Sequence, residues 1–217
     1  MEHIFDVEDW GVIDFRTAWE MQTRIAQDVR SGQRQSVLIF CQHPTVITIG
    51  RNGSQKNVLE TAEYLSMRNI EAIPINRGGD VTLHNPGQLI GYPIFNLSRF
   101  REDLHWFLRG IEDCIIAMLA DFGITGERNE GLTGVWIDGS RKICAIGVHC
   151  SRWVTMHGFA LNVCNDLSDF SMIVPCGIAD KSVTSVCAEL RSDVAFDEVQ
   201  TRCRRQFEIF FSERICA

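Results

Sequence analysis

RGGDVTLHNPGQLIGYPIFNL, residues 77–97, is the stretch on which the reading of this chain turns. A Gly-Gly turn leads into Val81-Thr82-Leu83-His84. Asn85-Pro86-Gly87 then reverses the chain, and residues 88–97 run back as a second extended segment. In an extended backbone successive side chains face opposite ways, so Thr82 and His84 share one face and Val81 and Leu83 the other. Two short strands around a Gly/Pro turn, with a polar pair on one face, exceed what an ordinary core needs.

The elements around this stretch favour an α+β chain. Upstream, Ala18, Met21, Ile25 and Val29 recur at helical spacing, predicting a helix over 13–30 that stops at Gly32. Residues 36–42 read as a buried strand, broken by His43-Pro44 and resumed at 46–49 before the turn at 50–53. A short helix is expected over 61–68 and a strand over 72–75. Downstream, Leu104, Leu108, Ile111, Ile115 and Met118 line one face of a helix over 102–121. Strands at 135–137 and 143–148 flank Asp138-Gly139, a strong hairpin signal, and 154–163 makes a third. Residues 166–175 lack a clear period, a helix is expected within 184–190, and Val199, Cys203, Phe207 and Phe210 stripe a last helix. Strands and helices come in runs, which predicts a mixed β-sheet with flanking helices. No linker divides the chain, so residues 1–217 are read as one domain.

Composition narrows the function. The chain has 217 residues, 45% hydrophobic and 23% charged, enough for one sizeable core. Its formal charge of −7 argues against nucleic acid as a partner, while leaving room for a local patch that docks a protein. Nine cysteines without a C-x-x-C pair predict reduced thiols and a cytoplasmic setting. The acidic start, MEHIFDVEDW, does not read as a signal peptide, and no apolar run approaches membrane-spanning length.

Several residues carry candidate chemistry. Cys176 sits between Pro175 and Gly177, a turn that can present a thiol to a carbonyl, although free cysteine is most often a small buried hydrophobe. Lys142 follows the Asp-Gly turn. An ammonium there can favour a nearby thiolate or carry its proton, or it can simply be solvated. Arg77-Gly78-Gly79 can turn backbone N–H groups toward an oxygen, and His84 can orient a substrate or serve as a structural imidazole. His157-Gly158 interrupts a strand, which points to a bulge or a close approach by ligand or backbone. Cys144, His149, Cys150 and His157 match no usual zinc spacing, and no metal is expected. Serine-hydrolase, P-loop and dinucleotide fingerprints are absent.

RGGDVTLHNPGQLIGYPI closely resembles the signature of the octanoyl-[acyl-carrier-protein]:protein N-octanoyltransferases, approximately R-G-G-x-x-T-x-H-G-P-G-Q-L-x-x-Y-P. His43-Pro44 through Gly50-Arg51 is similar to the family's H-P-x-x-x-T-x-G-R. Arg141-Lys142-Ile143 followed by Ala145-Ile146-Gly147 resembles R-K-[IV]-x-[AS]-[IL]-G, and residues 157–162 resemble H-G-[FL]-A-[LI]-N. Pro175-Cys176-Gly177 with Val183-Thr184-Ser185 resembles P-C-G…V-T-S. Two positions depart from the pattern: Asn85 replaces the usual Gly, and Leu83 a frequent Tyr.

The resemblance implies a biotin/lipoate protein ligase-like catalytic core; separately, the chain is expected to act as a monomer. The resemblance implies Cys176 as the acyl-thioester nucleophile and Lys142 as the residue that lowers its pKa. Arg77, Gly78, Gly79, Asp80, Val81, Thr82, Leu83 and His84 would bind substrate together with Ala145, Ile146, Gly147, Gly158, Phe159 and Ala160. The expected reaction moves octanoyl from acyl carrier protein to a lysine of lipoyl domains, those of 2-oxoacid dehydrogenase complexes and the glycine cleavage H protein. It would need no ATP and no cofactor beyond the carrier's phosphopantetheine. An ATP-dependent ligase on the same fold is the alternative enzyme; its longer R-R-x-S-G-G-G pattern is absent. A binding module that kept the fold would have no use for Cys176 and Lys142.

Overall fold

The computed structural model describes residues 4–174 and 181–212. The chain opens with β1 (Asp6–Val12), α1 (Phe15–Ser31), β2 (Val37–Gln42) and β3 (Val46–Ile49). Then come α2 (Ala62–Met67), β4 (Glu71–Pro74), β5 (Val81–His84), β6 (Gln88–Ile94) and α3 (Leu104–Ala120). The remainder is β7 (Glu127–Asn129), β8 (Leu132–Ile137), β9 (Arg141–Ser151), β10 (Val154–Asn162), β11 (Ser182–Val183), α4 (Val186–Leu190) and α5 (Phe196–Ser212). The large mixed sheet has the order β1-β2-β6-β10-β9-β8-β7, with β11 parallel to β9; a small sheet has the order β4-β3-β5.

The large sheet is covered on both faces, which explains why β2 is apolar at successive positions. Leu38 and Phe40 enter the core beneath α3 and α5, while Val37, Ile39 and Cys41 pack under α1. β6 divides in the same way, Leu89 to one side and Ile90, Tyr92 and Ile94 to the other. Burial of each large apolar side chain contributes about 1.5–3 kcal/mol. Local chemistry sets the ends of α1. The Asp14 carboxylate accepts the Thr17 N–H at 3.0 Å. Gly32, at φ 76°, turns its own N–H back to the Asp28 and Val29 carbonyls. Asp138 and Gly139 both have positive φ, 48° and 60°, at the centre of the tight turn that the Ser140 N–H closes onto the Ile137 carbonyl at 3.1 Å, within the three-residue loop between β8 and β9.

The mixed sheet with flanking helices matches the α+β expectation, and the structure adds to it at three places. The acidic N-terminal segment, which carries no clear apolar period, forms β1 parallel to β2. An edge strand tolerates alternating carboxylates, and Glu8 pairs with Arg34. The polar loop after α3 contains β7, whose charged side chains hide any strand period. The expectation of reduced thiols is corrected at Cys164 and Cys187, which are joined with their Cα atoms 5.3 Å apart. They lie 23 residues apart in the chain, so no short spacing announces the pair. Cys41, Cys144, Cys150 and Cys203 are free thiols.

Candidate active site

The junction of the two sheets leaves a cavity of about 370 Å³, in the size range of small-molecule sites. β5 supplies Val81, Thr82 and His84 to its lining, and the preceding loop Arg77, Gly79 and Asp80. β9 supplies Lys142, Ala145, Ile146 and Gly147; β10 supplies Gly158, Phe159 and Ala160. These three segments are up to 83 residues apart in the chain (160 − 77 = 83); the pairing of β9 with β10 and the packing of the small sheet's 77–84 segment against them bring the three together. Phe15, Ile90, Tyr92 and the 131–133 segment also line the cavity, beyond the residues that the sequence motifs mark. Tyr92 lies inside the quoted signature, whereas nothing in the helical period of α1 marks Phe15.

Two expected lining residues sit elsewhere. Leu83 is fully buried in the small sheet's core with Ile47, Leu65 and Phe170, on the strand face opposite His84. Gly78 stands behind the wall, its N–H donating to the Val148 carbonyl at 2.9 Å. Its neighbour Arg77 is buried and spans the same junction. The Arg77 guanidinium donates to the Thr48 carbonyl at 2.8 Å and to the Gly78 carbonyl at 2.9 Å. A Cβ on Gly147 would lie 2.7 Å from the Gly78 oxygen and 3.1 Å from Arg77 Cδ, so only glycine lets this loop lie against β9. Gly158 plays the same part on β10, where a Cβ would meet Pro93 Cδ at 2.6 Å. The interruption at His157-Gly158 is therefore a close approach of backbones; the pairing with β9 runs through it without a register shift.

Imidazoles gather at the inner end. His84 Nδ1 lies 3.3 Å from Gln88 Oε1 and its ring stacks on Phe15. His157 has φ 58° and donates its backbone N–H to Gln22 Oε1 at 3.0 Å, while its Nε2 meets Asn76 Oδ1 at 2.7 Å. Behind them His43 Nδ1 donates to the Ile13 carbonyl at 2.7 Å, which leaves Nε2 to accept from the Tyr92 hydroxyl at 2.6 Å. Burial is the main cause that lowers the pKa of all three, aided at His84 by His43 and Arg77 and at His157 by Arg77. His157 is held down to about 3. At neutral pH this end of the cavity is polar but its histidines are uncharged.

At the other end Lys142 is buried, with Nζ 4.5 Å from the centre of the Trp136 ring. Cys176, the expected nucleophile, lies outside the described residues. The chain on either side of residues 175–180 is well anchored. Val174 donates its N–H to the Asn57 carbonyl at 2.8 Å, and Asn57 Nδ2 donates to the Asp80 carboxylate at 2.7 Å. On the far side Val183 pairs with Lys142, and the Thr184 N–H donates to the Lys142 carbonyl at 3.0 Å. Both flanks are thus tied to residues of the cavity lining. Among the described residues, the Cys/His/carboxylate group close enough to share a cation is Cys164, Cys187 and Asp193, outside this cavity.

Asn85, at the position usually held by Gly, is absent from the residues with positive φ, and Gly87 at φ 91° makes the turn. The Asn85 amide instead donates to the Asp166 carbonyl at 2.8 Å and to Asp169 Oδ2 at 3.0 Å.

Comparison with known proteins agrees with this architecture. The profile of the lipoyl protein ligase A/B catalytic domain matches residues 14–208, and the chain belongs to that family. The curated octanoyltransferase of Cytophaga hutchinsonii is 45% identical over 96% of this chain and 93% of its own. That of Geotalea uraniireducens is 47% identical over 96% and 94%. Among solved structures, a bipartite lipoate protein ligase from Thermoplasma acidophilum superposes with a TM-score of 0.77 at 19% identity, over 97% of this chain and 85% of that one. Biotin protein ligase from Aquifex aeolicus gives 0.56 at 12% identity, over 96% and 69%. The structural matches show a shared fold. The chain is an acyltransferase of this family. Among the described residues, no helix is long and apolar enough to cross a membrane.

Proposed function

We propose that this protein moves an octanoyl group from acyl carrier protein to a lysine of a lipoyl domain, through a thioester on Cys176 and without ATP. The observation that carries the reading is the convergence on one cavity of Lys142 and the anchors of both chain flanks around Cys176. Lys142 holds the Cys176 thiol as thiolate or takes its proton. The thiolate attacks the octanoyl thioester carbonyl, and the carrier's pantetheine thiol leaves with a proton. The backbone N–H of Gly79 or of Gly177 stabilises the oxyanion. The lipoyl-domain amine then attacks the acyl-enzyme, gives up a proton and returns the cysteine. One thioester replaces another at nearly equal energy, and amide formation makes the second step favourable.

Ile75, Val81, Ile90, Ile146 and Phe159 supply the apolar part of the cavity. Burial of the octanoyl methylenes there, at ~0.8 kcal/mol each, contributes roughly 4–5 kcal/mol and selects for chain length. Lipoyl domains of 2-oxoacid dehydrogenase complexes and the glycine cleavage H protein are the acceptors in this reading. In this reading the protein acts as a monomer in the cytoplasm.

The test is intact-mass analysis after mixing with octanoyl acyl carrier protein in the absence of ATP. An octanoyl adduct is expected on the wild type and none on Cys176→Ala. An adduct persisting on Cys176→Ala, or a strict ATP requirement, overturns the mechanism. Lys142→Ala is expected to shift alkylation of Cys176 by iodoacetamide to higher pH; an unchanged pH profile removes Lys142 from that role.

A further inference from the structure

The geometry points to Cys164 and Cys187 as a reversible dithiol–disulfide site that fastens together the two chain stretches flanking the nucleophile segment. The regulatory part of this inference rests on the reading of Cys176 given above; the chemistry of the pair does not. Cys164 follows β10 and is exposed, and Cys187 lies in α4 and is half-buried. Their Cα separation of 5.3 Å falls within the range that a disulfide spans. The backbone brings the two together without the sulfur bond. The Cys187 N–H donates to the Val163 carbonyl at 2.9 Å, and Asn162 Nδ2 donates to the Thr184 carbonyl at 2.9 Å. Closing or opening the bond therefore demands little movement of either stretch.

The position gives the bond a consequence. Residues 164 and 187 bracket Cys176 in the sequence. Thr184, three residues before Cys187, holds the Lys142 carbonyl, and Asn162, two residues before Cys164, accepts at Oδ1 from Gln88 Nε2 at 2.9 Å. Gln88 in turn contacts His84 in the cavity. A bond between the two cysteines thus couples the Lys142 side of the cavity to its His84 side. Asp193 lies beside both sulfurs, which makes a shared cation the competing occupant. Three donors fall short of the four that a closed zinc site uses.

The reaction is thiol–disulfide exchange with a low-molecular-weight disulfide. The exposed Cys164, as thiolate, attacks RSSR and releases one RS−. Cys187, as thiolate, attacks the mixed disulfide and releases the second. Two protein thiols are oxidised, one RSSR is reduced to two RSH, and the two protons pass to the released thiolates.

The test equilibrates the full chain in buffers graded from reduced to oxidised glutathione, traps free thiols with iodoacetamide and digests with trypsin. Residues 153–181, which hold Cys164 and Cys176, are expected to appear linked to residues 182–191 through Cys187 at the oxidising end and to separate at the reducing end. Fragment spectra should assign the link to Cys164, and Cys164→Ser should leave Cys187 alkylated. A Cys176–Cys187 link, or alkylation of both Cys164 and Cys187 throughout, overturns the site. So does stoichiometric zinc in the purified chain that a chelator removes and whose loss frees both thiols. Octanoyl loading is expected to differ at least about threefold between the two redox states of the wild type and not in Cys164→Ser, a change of ~0.65 kcal/mol in barrier. Equal rates overturn the regulatory role alone. Loss of loading in both states, with the link intact, counts against the acyl-transfer reading and not against the pair.

Discussion

Gly147 shows how a single missing atom sets the cavity. The 77–79 loop lies against β9 because nothing projects from residue 147. Gly147→Ala places a methyl 2.7 Å from the Gly78 oxygen, a backbone atom that moves only with its loop. Octanoyl loading is expected to fall about tenfold, ~1.4 kcal/mol in barrier, with a stability loss of about 1–3 kcal/mol. Unchanged single-turnover loading kinetics would show that the loop does not shape the site. His157 illustrates a second single-residue effect. Its positive φ is uncommon for a non-glycine side chain, and two hydrogen bonds hold it there. The motif pattern locates His157, but its neutral state follows from burial and from Arg77, which lie outside its own sequence neighbourhood.

The helices illustrate how much local sequence carries. The apolar stripes of α3 and α5 predict their buried faces: Ile111, Ile115 and Met118 on one, Val199, Cys203, Phe207 and Phe210 on the other. Phe207 is fully buried against Phe159 and Phe211, so it links α5 to the strand that carries the cavity wall. Phe207→Ala is expected to cost about 3–5 kcal/mol, read as a lower urea midpoint with an unchanged slope. A loss under about 1 kcal/mol would mean that the core collapses around the gap. Glu112 breaks the apolar pattern of α3 yet is fully buried. Its carboxylate accepts from Gly134 N at 3.0 Å and pairs with Arg109 and Arg128, fastening α3 to β8. Helical periodicity has no means of signalling such a partner, because the partner lies on another element.

Across the whole molecule the neutral histidines make stability depend on pH. The unfolded chain binds a proton on His157 below its ordinary value of 6.5, whereas the folded chain does not until about 3. Stability is therefore complete above 6.5 and is lost as the pH falls; His157 contributes a loss of roughly 2 kcal/mol between pH 6.5 and about 5. Urea denaturation at the two pH values measures it, and His157→Leu should flatten the difference. Tryptophan fluorescence and far-ultraviolet dichroism should give one coincident transition, as the reading of a single domain requires; two separated transitions would refute that reading. The α+β class, the 138–139 hairpin and the principal helices were legible in the sequence because they are written in local periodicity and turn chemistry. So was the family resemblance, carried by ordered short motifs. The departure of Leu83 from the cavity depends on which strand face meets which sheet. The gathering of His43, His84, Tyr92 and His157 and the joining of Cys164 to Cys187 depend on strand order. These are contacts between residues distant in the chain, and their partners exist only once β6, β9 and β10 have paired.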